Sequence, residues 1–291
     1  MIVVTGATGQ LGRLVVRHLL DLVPADQIAV VVRDPARATH PAEHGIEVRV
    51  ADHDVPASLA NVFHAGDHVL LVSGNQFGLR LAQHQAVIDA ATAADVALLA
   101  YTSILGGPAT RFVVADDHHA TEQAIRQSGL PFTFLRNGWY TENYTAQLPG
   151  VLAHGRVMGT ADPDSRLATA TRDDYAAAAA AVLAGKGHEN TIYELSGDNA
   201  WSLRHYTAEV SRQSGKEVGY VQVPAVEYRQ ILSSGGLPEA MLGVFVETED
   251  AIARGELATV TGDLRRLIGR PTTSLAAVIR AELDSAVGSK A

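Results

Sequence analysis

The chain opens Met1-Ile-Val-Val-Thr5-Gly6-Ala7-Thr8-Gly9-Gln10-Leu11-Gly12. Residues 2–4 form a short β-branched run. Three glycines at three-residue spacing follow, and then an amphipathic run with Leu11, Leu14, Val15, His18 and Leu19 on one helical face. Strand, glycine turn and helix, in that order, frame a dinucleotide-binding loop. Gly6 can make the tight turn, Gly9 lets a pyrophosphate approach the backbone, and Gly12 lets the helix pack close to the strand. First-turn N–H groups and the positive end of the helix dipole then face the phosphates. Thr8, Gln10 and Leu11 are read with the glycines as cofactor-binding. In a chain of 26 glycines the spacing alone can recur by chance. Its position directly after the first strand is what makes it specific.

The pattern of elements beyond this loop repeats its logic. Apolar β-branched runs at 28–32, 46–50, 67–72, 96–101 and 131–135 alternate with helical stretches such as 79–93 and 116–127. Such alternation predicts an α/β fold, a doubly wound parallel sheet with helices on both faces. After Arg136 the texture changes. Short strands at 191–195 and 218–223 and helices including 237–254 predict a smaller C-terminal α/β lobe. The expected division is a dinucleotide-binding domain over 1–136 and a substrate lobe over 137–291, with a segment near 190–196 returning to the first. The segment from Ala286 is small and polar and reads as a frayed end.

Ligands of doubly wound sheets bind at the carboxyl ends of the strands. Arg33 ends the second strand, where an adenosine ribose would lie. An acid there would suit a 2′-hydroxyl; an arginine suits a 2′-phosphate, and hence NADPH rather than NADH. Arg37 is a second donor for the same group, and Asp52-His53 could flank an adenine. Ser73, Gly74 and Asn75 form a small polar turn after the fourth strand, and Thr102 follows the fifth. All four are candidate cofactor contacts. Past the sixth strand, Asn137-Gly138-Trp139-Tyr140-Thr141-Glu142-Asn143-Tyr144 gathers aromatics and amides at the same edge. Planar aromatics there could stack on a flat ring, so Asn137, Gly138, Trp139, Tyr140 and Asn143 are the candidate substrate residues. Thr171 to Asp174 has capping-box spacing, and Arg172 at the start of that helix could reach the cofactor, though it reads first as a surface arginine.

Composition removes several alternatives. The formal net charge is -9 and no basic block exists to neutralise phosphates, which argues against a nucleic-acid or anionic-membrane partner. There is no cysteine, so disulfides, thiolate catalysis and thiol redox sensing are excluded. No charged leader precedes the first strand and no apolar run has membrane-spanning length, so a cytoplasmic protein without a membrane partner is expected. Oligomeric state is not readable from the chain, and a homo-oligomer stays open.

The lysines are Lys186, Lys216 and Lys290, and none of the eight tyrosines has a lysine four residues later. An alcohol dehydrogenase with a Tyr-x-x-x-Lys acid is therefore disfavoured, and the catalytic residues stay unknown. Hydride transfer is not excluded, because the cofactor carries that chemistry and the protein supplies orientation. A quinone accepts hydride without a strong acid, since the product anion spreads its charge over the ring. His118 and Glu122, four apart on one helical face, could be a metal site, a proton relay or a surface ion pair; with no third ligand in view they read as a surface or peripheral pair. No metal is expected.

These segments together resemble the NmrA-like atypical short-chain dehydrogenases/reductases. The resemblance rests on Thr-Gly-Ala-Thr-Gly-Gln-Leu-Gly at 5–12, Val-Arg-Asp-Pro at 32–35, Tyr-Thr-Ser at 101–103, Leu-Arg-Asn-Gly-Trp-Tyr-Thr-Glu-Asn-Tyr at 135–144 and Ala-Thr-Arg-Asp-Asp-Tyr-Ala at 170–176. Within the family the chain is most similar to the bacterial NADPH:quinone oxidoreductase 2 type. The resemblance implies a Rossmann domain with a smaller lobe, NADPH in the cleft and reduction of a small-molecule quinone. It also implies that residues 137–143 line the substrate site. The turns Ser73-Gly74-Asn75 and Gly106-Gly107-Pro108 depart from the pattern, and both border the cleft. Related triphenylmethane-dye reductases share much of it. Other relatives bind NADP(H) without turnover, as redox sensors acting through a protein partner.

Overall fold

The computed structural model describes residues 1–76 and 78–288. Seven strands form one sheet: β1 (Ile2–Thr5), β2 (Ile28–Val32), β3 (Glu47–Val50), β4 (His68–Leu71), β5 (Leu98–Ile104), β6 (Phe132–Asn137) and β9 (Thr191–Leu195). Their order is β3-β2-β1-β4-β5-β6-β9, and every pairing is parallel. The strands are buried on both faces, which is why they read as unbroken β-branched runs rather than alternating ones. Ile2 and Val4 face one core with α1 (Gly12–Leu20), α7 (Arg172–Ala184) and α11 (Asp263–Ile268). Val3 faces the other core, with α3 (Arg80–Ala93) and α4 (Ala115–Ser128). Helices on both faces of a parallel sheet are the doubly wound architecture expected from the sequence.

The segment at 191–195 returns to this sheet and pairs with β6, Thr133 opposite Thr191. With α7 and α11 also packed on the sheet, the remainder of the second half gathers around its own core of Leu148, Trp201, Tyr206, Val210, Ile252 and Ile279. It carries two small sheets, β7 (Arg156–Gly159) beside β11 (Gly219–Gln222) and β8 (Arg166–Leu167) beside β10 (Trp201–Ser202). Around them lie α5 (Glu142–Thr145), α6 (Leu148–His154), α8 (Leu203–Ser214), α9 (Ala225–Ser234), α10 (Glu239–Ala253) and α12 (Leu275–Gly288). The short α2 (Thr39–Glu43) precedes β3. Residues 289–291 of the tail expected to fray lie outside the described residues. Among the described residues no helix is long and apolar enough to cross a membrane.

Two threonines hold the strand ends that matter for a ligand. Strand order reverses between β1 and β4, and a crevice opens there at their carboxyl ends. Thr5 Oγ donates to the Leu70 carbonyl at 3.0 Å and accepts from Val72 N–H at 3.2 Å, tying the two strands where they diverge. Thr102 Oγ accepts from Ser73 N–H at 2.8 Å and ties the exit of β4 to β5.

Candidate active site

A cleft of about 910 Å³ follows the carboxyl edge of the sheet. The glycine loop forms its floor. Gly6 has φ +61°, the left-handed region a side chain would disfavour. A Cβ on Gly12 would fall 2.3 Å from the Gly6 carbonyl oxygen, so only glycine lets the helix start this close to the strand. No side chain caps α1 and no acid sits in its first turn, which leaves its leading N–H groups and dipole open to an anion. This loop therefore fits a pyrophosphate. Every sequence-predicted cofactor residue except Thr102 lines the cleft: Gly6, Thr8, Gly9, Gln10, Leu11, Gly12, Arg33, Ser73, Gly74 and Asn75.

Arg33 and Arg37, after β2, line the cleft, as do Asp52 and His53, after β3. Asp34 accepts from Ala36 N–H at 3.0 Å and caps the short turn that begins at Pro35. Its carboxylate is spent on its own backbone and leaves the two arginines to a ligand. Burial pushes the His53 imidazole down from its ordinary pKa, partly offset by Asp52 and Asp54.

A second cavity of about 140 Å³ shares Ser73 and Tyr140 with the cleft. Its walls are mostly apolar, with Ile104, Leu105, Phe112, Val114, Trp139 and Leu257 among them. Leu257 comes from the lobe, so the cavity lies where lobe and sheet meet. Trp139 stands edge-on to Phe112 with ring centres 5.6 Å apart. Asn137, Gly138, Trp139 and Tyr140 all line this cavity, as does Thr102. Asn143, the fifth expected substrate residue, lines neither space; its Oδ1 accepts from Arg172 Nη2 at 3.0 Å. Asn137 Oδ1 is buried and has no hydrogen-bond partner. Burial pushes the Tyr140 phenol up, and neighbouring Arg172 pulls it back.

Two readings from sequence are corrected. Arg172 is not a surface arginine. Its side chain is 17% exposed, lines the cleft, stacks over Tyr140 and pairs with Glu142 at 3.5 Å. His118 and Glu122 are not a surface pair: they are 7% and 5% exposed and do not bond to each other. Glu122 binds Arg136 through both oxygens, at 2.8 and 2.6 Å, and accepts from Ser103 Oγ at 2.6 Å. His118 lines the smaller cavity, with Nδ1 2.7 Å from the Tyr101 hydroxyl. The turn Gly106-Gly107-Pro108 has a cause in the same cluster. A Cβ on Gly107 would fall 2.2 Å from the Arg136 guanidinium carbon, and Arg136 also pairs with Glu194 at 2.7 Å.

The NmrA-like family model matches residues 1–275. The chain belongs to the NmrA-like family. It is 44% identical over 276 residues to quinone oxidoreductase 2 of Escherichia coli strain K12, covering 95% of this chain and 96% of that one. The crystal structure of the NADPH-dependent quinone oxidoreductase of E. coli complexed with NADPH superposes with a TM-score of 0.94 at 43% identity, covering 97% of this chain and 100% of that one. The triphenylmethane reductase of Citrobacter sp., complexed with NADP(H), superposes with a TM-score of 0.93 at 36% identity, again covering 97% and 100%.

In this NmrA-like chain the residues that sequence reasoning missed are those placed by packing. Phe112 and Leu257 are ordinary apolar residues far apart in sequence, and nothing local marks them as neighbours. His118 did carry a signal. Ala115, His118, Thr121, Glu122 and Ile125 recur at helical spacing and are the buried stripe of α4.

Proposed function

We propose that this NmrA-like protein is an NADPH-dependent quinone reductase working in the cytoplasm on a small-molecule quinone. The observation that carries the reading is a cleft floored by an uncapped glycine loop and joined, at Ser73 and Tyr140, to an apolar cavity of about 140 Å³. Near-full-length similarity to a quinone oxidoreductase and to an NADPH complex supports both the cofactor and the reaction. The cavity volume decides the size of substrate. An apolar cavity of about 150 Å³ holds one benzene ring, so a single-ring quinone fits here, and a fused-ring quinone would extend into the cleft.

When bound, NADPH supplies the hydride. The chain's contribution is to bind and orient. Gly6, Thr8, Gly9, Gln10, Leu11 and Gly12 would hold the pyrophosphate, and Arg33 with Arg37 the 2′-phosphate. Ser73, Gly74, Asn75 and Thr102 would border the reduced ring. Asn137, Gly138, Trp139 and Tyr140 would hold the quinone flat, with Asn143 acting through Arg172. Apolar walls exclude water and hold the acceptor in contact distance, which is where such a site gains its rate.

The decisive experiment follows NADPH oxidation against benzoquinones and naphthoquinones, with triphenylmethane dyes alongside because of the likeness to the dye reductase. Quinone turnover without added metal is expected, fastest with single-ring substrates. Tight NADPH binding without oxidation on any acceptor would reject the enzyme and favour a redox sensor with a protein partner. Dye turnover far above quinone turnover would reassign the substrate.

A further inference from the structure

Three polar residues of the smaller cavity have no part in the proposed reaction: the Ser103 and Thr110 hydroxyls donate to Glu122 and Glu256, which leaves His118. His118 sits on α4 with its imidazole at the cavity wall. Its Nδ1 faces the Tyr101 hydroxyl at 2.7 Å. Tyr101 is fully buried, and its hydroxyl has two neighbours, this nitrogen and the Thr121 hydroxyl. Thr121 Oγ already accepts from His84 Nδ1–H and gives its own hydrogen to the Asp117 carbonyl, so the phenol donates to the imidazole nitrogen, the more basic acceptor. His118 then accepts at Nδ1 and carries its hydrogen on Nε2. Nε2 has no partner among the described residues, yet it is not among the sealed, unpartnered atoms of the core.

The ring behind Tyr101 is held as firmly. His84, on α3, stands edge-on to Tyr101 with ring centres 5.4 Å apart. Its Nε2 accepts from Gly74 N–H at 3.1 Å, so its Nδ1 carries the hydrogen, facing Thr121 Oγ at 3.0 Å. Thr121 passes its own hydrogen to the Asp117 carbonyl at 2.8 Å. Tyr101 is thereby fixed between two neutral imidazoles. Asn137 Oδ1, buried and unpartnered, lines the cavity that His118 enters.

We infer that His118 is the hydrogen-bond donor that receives the substrate's carbonyl oxygen in the smaller cavity, presenting Nε2–H as a neutral imidazole whose tautomer is set by Tyr101. The inference rests on the reductase reading. Hydride brings two electrons to the quinone, and one carbonyl oxygen becomes an anion. The Nε2–H bond strengthens as that charge develops, and a proton from water then completes the hydroquinone and leaves hydroxide. His118 gives up no proton. Burial, with Arg80, His84 and His119 nearby, pushes its pKa down to about 3, so the ring stays neutral at working pH. The charged and titratable groups around it are Arg80 and His84 from α3, Asp117, His119 and Glu122 from α4, and Tyr101 from β5. A neutral imidazole that polarises a carbonyl is an established electrophile, and removing one such donor slows turnover on the order of 10²-fold.

Wild type is compared with His118→Phe, His118→Gln and Tyr101→Phe for NADPH affinity, quinone kcat and its pH profile. Nitrogen-15 NMR of His118 reads the tautomer in wild type and in Tyr101→Phe. Expected are a kcat loss on the order of 10²-fold in His118→Phe with NADPH affinity kept, and recovery of most of it in His118→Gln, which restores an N–H. The wild-type profile should show no step near pH 6.5, and the Nε2–H signal should weaken in Tyr101→Phe. An Nδ1–H tautomer in wild type overturns the inference even if no variant folds. So does undiminished kcat in folded His118→Phe, or a kcat that falls above pH 6.5 and loses that fall in His118→Gln, which marks a charged acid. A wild type that reduces no quinone overturns the reductase reading instead.

Discussion

The Arg172 guanidinium lies 4.3 Å from the centre of the Tyr140 ring, so the first residue of α7 covers the aromatic that stands where cleft and cavity meet. The same side chain donates to Asn143 Oδ1 and pairs with Glu142. Arg172 therefore joins three residues of the 137–144 segment, Tyr140, Glu142 and Asn143. A desolvated cation–π contact contributes roughly 1–2 kcal/mol. Arg172→Ala should lower kcat/KM for quinone by about tenfold, and Asn143→Ala should do part of the same damage. Arg172→Lys should recover little, because a point charge cannot stack and fork together. Steady-state kinetics beside NADPH titration checks this. Equal loss of NADPH affinity and turnover would place Arg172 on the cofactor alone.

NADPH should be preferred over NADH because of Arg33. Its guanidinium lines the cleft and no acceptor holds it among the described residues, while Asp34 is turned to its own backbone. A charge-assisted contact to a 2′-phosphate contributes roughly 1.5–3 kcal/mol. Arg33→Ala should lose that preference with NADH affinity barely moved. Equal wild-type affinities for the two cofactors would remove Arg33 from the site.

How much of this was legible in the sequence follows from what each residue depends on. Gly6, Gly9 and Gly12 could be assigned because a loop's backbone needs are local. The strands could be assigned because burial on both faces leaves an unbroken β-branched run. His118 and Glu122 were misplaced because their spacing shows that they share a helix face, not what that face meets. Their neighbours Tyr101 and Arg136 come from β5 and β6, and the pairing of those strands is a long-range fact. Arg172 was misplaced for the same reason. Thr171 does cap the helix, accepting from Asp174 N–H at 3.0 Å, but Asp174 turns to Arg270 and Thr273 and does not close the box.

The glycine loop separates binding from folding. A Cβ on Gly9 would lie 3.2 Å from the Gly6 carbonyl oxygen, a tight but tolerable approach. Gly9→Val should keep the fold and lose both cofactors, because its branches would occupy the pyrophosphate's path. Gly12→Val should fail earlier, since its Cβ meets Gly6 oxygen at 2.3 Å and the start of α1 must move. Circular dichroism with NADPH titration distinguishes the two. Normal titration by folded Gly9→Val would take the loop out of the site.

Acid should destabilise the fold before its carboxylates are protonated. Burial, with Arg80 beside both, pushes His84 and His118 from 6.5 down to about 3. Unfolding returns each imidazole to its ordinary value, so between these limits the unfolded chain binds more protons than the folded one. Their contribution is whole above pH 6.5 and is lost as pH falls toward 3. The slope approaches about 1.4 kcal/mol per pH unit for each ring. His53 acts in the same direction, and Glu249, whose carboxyl burial pushes up, acts against it. Comparison with His118→Gln cancels both, because neither changes in the variant. Urea midpoints between pH 5 and 7 should fall more steeply in wild type than in His118→Gln, by about one ring's share. Parallel lines would mean that His118 titrates alike in the folded and unfolded chain.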